Sequence, residues 1–160
     1  MQKHEDEEIT VGEFVEMVWG LRTGCGGATL GEVASASLTQ SELLRYGHFR
    51  GWLEDSDERH PETLLNRQTA ARIIHQFMVV ELHVPDIADI SAAEKLRDLY
   101  TCRVCANHIA QVYVRGIMGA EEVLSSDAAA TQSVWIFNHL KRMSFNEAQK
   151  IISSIKKAML

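Results

Sequence analysis

One phrase written three times limits the fold of this chain more than any other feature. Asn66-Arg67-Gln68-Thr69 leads into apolar Ala70, Ile73, Ile74 and Phe77, and Thr10-Val11-Gly12-Glu13 leads into Phe14, Met17, Val18 and Leu21. Near the other end, Ser144-Phe145-Asn146-Glu147 leads into Ala148, Ile151, Ile152 and Ile155. Each copy is a cap, two free positions, Glu or Thr, and apolar residues at the fifth, eighth, ninth and twelfth places. The cap oxygen accepts from an unpaired amide of a first helical turn, and Glu13 or Glu147 reaches back to the amide of its cap. At 3.6 residues per turn the apolar places form one stripe, so three amphipathic helices are expected to bury their stripes together.

The spaces between these phrases also read as helical. Ser37 to Leu53, begun near Thr39 or Ser37, carries Leu43, Leu44, Tyr46 and Phe49 and stops at Gly51. The central helix spans Asn66 to about Leu82, and Pro85 then breaks the chain into an extended connector. A further helical stretch starts at Ser91 and runs through Leu96 and Leu99. Arg115-Gly116-Ile117-Met118 echoes Arg50-Gly51-Trp52-Leu53, each a helix stopped at Gly and followed by two large apolar residues. Glu121 to Asp127 reads as a loop and Ala128 to Met143 as another helix, with Val134, Trp135, Phe137 and Leu140. Trp19, Trp52 and Trp135 fall on or beside apolar stripes and are assigned to the core. No strand-like alternation is sustained. The expected class is therefore all-α, a single domain over residues 1–160, with about three imperfect helix-pair repeats (9–36, 37–82 and 89–160) around a central helical bundle.

Charge and motif content exclude several functions. A net charge of −6 offers no basic face for nucleic acid or an anionic membrane. No apolar run suffices for membrane insertion, and Met1 to Glu8 is polar, so as given the chain is expected to stay where it is made. Three cysteines argue against a dense disulfide framework and favour a reducing compartment. The glycine-rich stretch Thr23 to Gly31 lacks the Gly-Lys-Ser/Thr ending of a P-loop, and the acidic loop Glu54 to Glu58 lacks the glycine and distal Glu of an EF-hand. Cys25 has no local base, and no His-x-x-x-His pair lies beside a Glu. Neither an enzyme nor a cofactor is expected.

Cys102-Arg103-Val104-Cys105-Ala106-Asn107-His108 is the strongest competing chemical signal. On a helix, steps of three share a face, so two thiolates and an imidazole could meet one zinc ion. The fourth ligand would have to come from elsewhere: His139, His75 or His83. The preferred account is two small buried apolar groups and a polar histidine, hence no metal. A Cys-x-x-Cys redox site lacks the strand that leads into such motifs in thioredoxin-like proteins.

The openings Ile9-Thr10-Val11-Gly12-Glu13-Phe14, Pro61 to Leu65-Asn66-Arg67 and Ser144-Phe145-Asn146-Glu147-Ala148 resemble the S-layer homology domain, whose second helix opens with Ile-Thr-Arg-Ala-Glu. The resemblance covers most of the chain in three degenerate units. It implies a three-pronged all-α assembly with the motif helices in a central bundle. It also implies a non-catalytic module of the bacterial cell surface that binds pyruvylated cell-wall polysaccharide in grooves between prongs. The motif Arg falls on Arg67, while Val11 and Phe145 take the other two places. The family's Asp-Gly-x-Phe and His-Trp-Ala signatures are missing. A guanidinium fork suits a carboxylate such as pyruvyl, which makes Arg67 and Arg72 the candidate ligand contacts. The bland alternative is two solvated arginines. Other functional readings are a degenerate helical repeat that binds an intracellular protein partner, or a small Cys/His metal protein.

Overall fold

The computed structural model describes residues 4, 6–24, 38–127 and 130–159. Cys25 and the glycine-rich stretch beyond Gly24 lie outside them. In chain order the elements are α1 (Val11–Gly24), α2 (Gln40–Arg50), α3 (Asp55–Arg59), α4 (Arg67–Val80), a 3-10 helix (Ser91–Lys95), α5 (Arg103–Val114), β1 (Glu121–Asp127), β2 (Ala130–Ile136) and α6 (Phe145–Met159).

The repeated phrase starts α1, α4 and α6. Thr10 accepts from the Glu13 amide while the Glu13 carboxylate accepts from the Thr10 amide, a closed capping box. Asn66 Oδ1 accepts from the Thr69 amide, and Ser144 Oγ from the Glu147 amide. The residue before each cap then joins a ring. Ile9 N–H donates to the Met143 carbonyl (3.1 Å), Met143 N–H to the Leu65 carbonyl (3.0 Å), and Leu65 N–H to the Ile9 carbonyl (2.8 Å). A second set repeats the relation one step out: Val11 donates to Thr63, Arg67 to Lys141 and Phe145 to Glu7. Three helix starts are thereby tied by an approximate three-fold relation, and the side chains of Ile9, Leu65 and Met143 close its centre, fully buried. First-turn amides that a helix leaves orphaned are satisfied by neighbouring chain segments rather than by water.

The Gly echo also holds at the level of hydrogen bonds. Gly51 (φ 93°) and Gly116 (φ 74°) are left-handed, a conformation that costs glycine little. Trp52 and Leu53 both donate to the Gly47 carbonyl, as Ile117 and Met118 both donate to Val112. All four side chains enter the core. Trp52 lies parallel to Trp19 and edge-on to Phe77, whose centroid is 5.0 Å away.

The all-α expectation is overturned. Glu121–Asp127 and Ala130–Ile136 pair as antiparallel strands, with Val123 opposite Val134 and Glu122 opposite Trp135, where a loop and a helix were expected. The three alanines at 128–130 suggest a helix, but Thr131, Val134, Trp135 and Ile136 are β-branched or aromatic and favour a pleated surface. Trp135 is not core: it is 38 % exposed, with Lys95 Nζ 4.9 Å from its ring. The helical stretch expected through Leu96 and Leu99 also stops early. Leu96 is extended and bridges Trp135 in parallel, and the Arg97 amide donates to the Trp135 carbonyl, so β2 takes the backbone a continuing helix would need. Among the described residues no helix is long and apolar enough to cross a membrane.

Candidate functional site

The ring places the N-terminal residue of one motif helix beside the flank of the next, with a groove at the junction. Arg67 begins α4 and faces Glu147, Lys150, Ile151 and Ser154 of α6 across a groove of about 200 Å³, floored by Ile117, Met118 and Gly119. Val11 begins α1 and faces Thr69 and Arg72 of α4 across a similar groove of about 180 Å³, walled by Ser56, Asp57 and His60. The two grooves therefore differ in charge although the backbone around them is alike.

The structure separates the two candidate arginines. Arg72 donates from both terminal nitrogens to the carboxylate of Asp57, each at 2.8 Å, and Nε lies 3.7 Å from Glu54. Asp57 is buried, so this pair is internal. Burial alone would lower the Arg72 pKa, and the Asp57 bonds nevertheless hold it above the usual guanidinium value. Arg67 makes no ion pair among the described residues. Its Nε donates to the Phe137 carbonyl (2.8 Å) and Nη2 to the Gly119 carbonyl (2.5 Å), with the guanidinium 4.5 Å above the Phe137 ring. Burial lowers its pKa, against the opposing fields of Glu147, Glu121 and Asp98. Carbonyls orient the group without cancelling its charge.

Asp98 holds the floor of this region in place. Its carboxylate accepts from the amides of Phe137 and Asn138 at 2.7 and 2.8 Å and from His139 Nδ1 at 3.1 Å, fixing the chain where it leaves β2. Lys141 Nζ bonds Glu121 across the base of the hairpin.

The Arg67 groove continues past Ser154 into a second hollow of about 260 Å³ lined by Arg115, Gly116, Lys157 and Ala158. Arg115 Nη2 donates to the Pro85 carbonyl, again a neutral acceptor. Arg67, Lys150, Arg115 and Lys157 form no ion pair among the described residues. Lys150, Ser154 and Lys157 stand at steps of four and three on α6, a spacing that puts them on one face and is visible in the sequence. Arg115 comes from another helix, and only the fold brings it there.

A separate polar cluster lies between α4 and α5. His75 Nε2 is 2.6 Å from Asp86 Oδ1, His75 Nδ1 is 2.7 Å from His108 Nδ1, and Asn107 Nδ2 donates to Asp86 Oδ2 at 3.0 Å. His75 and His108 border a cavity of about 390 Å³ walled by Val79, Val80 and Gln76. Burial, with the neighbouring His75 and Arg72, lowers the His108 pKa to about 4. Cys102 and Cys105 are joined in a disulfide within the first turn of α5. No three His, Cys, Asp or Glu side chains among the described residues are arranged to hold a metal ion. Comparisons of the chain with family profiles, with curated proteins and with solved structures gave no match.

Proposed function

We propose that the chain is a non-catalytic binding module and that the Arg67 groove takes an anionic polysaccharide of the cell wall, with an acidic substituent such as pyruvyl on the guanidinium. The observation that carries this reading is charge placement. A chain of net charge −6 gathers Arg67, Lys150, Arg115 and Lys157 along two adjoining hollows that share Ser154, with Glu147 in their lining and Glu121 and Asp98 acting on Arg67 from nearby. Elongated and open, such a groove suits a flexible polymer with repeated anionic groups better than a small enclosed ligand. Arg67 offers a planar donor fork already oriented by two carbonyls, which lowers the ordering cost of binding a carboxylate. The resemblance of the repeated openings to S-layer homology domains supports the same ligand class. Arg72, matched by Asp57, takes no part in this reading.

Co-sedimentation with polysaccharide-bearing wall sacculi tests it. The expected result is that wild-type protein pellets with intact sacculi, stays in solution with sacculi stripped of polysaccharide, and loses pelleting on Arg67→Ala or Lys150→Glu. Arg67 also braces the Gly119 and Phe137 segments, so the exposed Lys150→Glu variant guards against a folding effect. Wild type remaining in the supernatant with walls that retain an authentic S-layer homology domain would overturn the proposal and favour the protein-partner alternative.

A further inference from the structure

The cavity between α4 and α5, of about 390 Å³, has two kinds of wall. Val79 and Val80 of α4 give it an apolar side, and His75, Gln76, Asp86 and His108 give it a polar one. On the polar side one atom lacks a counterpart. Gln76 Oε1 is buried and accepts no hydrogen bond among the described residues. Leaving a buried acceptor unmade costs folding free energy, and native proteins keep few of them. On a residue that walls a cavity, such an atom points to a donor that arrives with a ligand.

The histidine pair supplies a second acceptor. Asp86 stays a carboxylate: burial alone would raise its pKa, but bonds from His75 and Asn107, with the fields of His75 and Arg115, hold it below the ordinary value. Burial above all keeps His108 neutral, its pKa lying at about 4. With both rings neutral, the order of protons along the chain is forced. His75 Nε2–H donates to Asp86 Oδ1 at 2.6 Å, which leaves the Nδ1 lone pair of His75 to accept from His108 Nδ1–H at 2.7 Å. The remaining nitrogen of His108, Nε2, therefore carries a lone pair, and it has no partner among the described residues.

We propose that this cavity binds a small uncharged molecule of the phenol class, its ring against Val79 and Val80 and its hydroxyl donating to the acceptors that His108 and Gln76 present. An imidazole lone pair and an amide oxygen call for a donor, and a phenolic hydroxyl donates more strongly than it accepts. Its ring buries apolar surface at the same time. Charge is disfavoured on both counts. Asp86 repels an anion, and Arg72 and Arg115, whose fields act on His108 and Asp86, repel a cation. The inference goes beyond the glycan reading and stands independently of it, since the cavity shares no residue with the Arg67 groove.

Phenol and toluene, alike in their ring and different in the donor, are to be titrated into the full chain and followed by NMR of the amides and histidine rings, at about pH 8, where an unperturbed histidine is neutral. Before ligand is added, long-range proton–nitrogen spectra should show His75 protonated at Nε2 and His108 at Nδ1. Phenol is expected to bind saturably, one per chain, moving the His108 Nε2 resonance and the Val79 and Val80 signals, and toluene to bind at least about tenfold more weakly. At least one of His108→Phe and Gln76→Leu should weaken phenol by about tenfold without weakening toluene. Val79→Trp narrows the cavity from its apolar side and should abolish phenol binding while leaving the Asp86–His75–His108 chain intact. Val79 is 42 % exposed, so this variant keeps the comparison usable if an acceptor variant unfolds. A free protein with His108 protonated at Nε2, toluene binding as tightly as phenol, phenol affinity unchanged in both acceptor variants, or no saturable binding of phenol up to its solubility would overturn the proposal.

Discussion

Glu81 shows how one residue can join three helices. It caps α4 with its carboxylate buried; Arg50 from α2 donates to Oε1 at 2.9 Å, and Arg22 Nη1 from α1 lies 3.2 Å from both Oε2 and the Glu81 carbonyl, aligned on the carbonyl. Removing that charge leaves a buried guanidinium without its counterion, so Glu81→Gln is expected to cost about 3–5 kcal/mol in urea unfolding. Asp98 acts at the other end of the molecule. Burial alone would raise its pKa, but bonds from Phe137, His139 and Asn138 hold it below the ordinary carboxylate value. Its stabilisation is therefore present above the unfolded pKa of about 3.9 and is lost as the pH falls through the folded value. Asp98→Asn should be less stable than wild type at neutral pH, and the difference in melting temperature should narrow on acidification to about pH 3. Arg67 was legible in the sequence as the first residue after a cap. Its acceptors were not, because Gly119 and Phe137 lie 52 and 70 residues away.

Local chemistry announced some elements and disguised others. The starts of α1, α4 and α6 were readable because capping and stripe agree, and α2 begins with a Thr39–Glu42 capping box at one of the two starts expected for it. The hairpin was not readable, since its two faces carry little alternation and Leu124 and Trp135 remain exposed. Strand pairing there depends on partners such as Leu96 and Arg97 that only the fold supplies. The α4 stripe is the hub of the core, and Ile73 on it is fully buried. Ile73→Asp places an unpaired charge in that hub and is expected to abolish cooperative thermal unfolding. Gly47→Ala is a milder test of the same region. A methyl there would sit 2.5 Å from Leu53 Cδ1, and the resulting overpacking should cost about 1–3 kcal/mol in denaturant unfolding.

At the scale of the whole molecule, three helix starts share one backbone arrangement and differ in the side chains they present. The Val11 junction is balanced by Arg72 and Asp57, and the Arg67 junction carries Arg67 and Lys150 against Glu147. Of these two grooves only the Arg67 one is expected to take an anion, although the backbone relation is shared. The charge that fills it comes from α4, α5 and α6, and composition concealed it, because the chain is acidic overall. Calorimetric titration of a pyruvylated wall-glycan fragment into wild type and Lys150→Glu, at low and high salt, tests this most directly. The account predicts one site per chain, weakened by salt and by at least about tenfold on charge reversal. Equal binding by both proteins, or no binding by wild type of a fragment that an authentic S-layer homology domain retains, would contradict it.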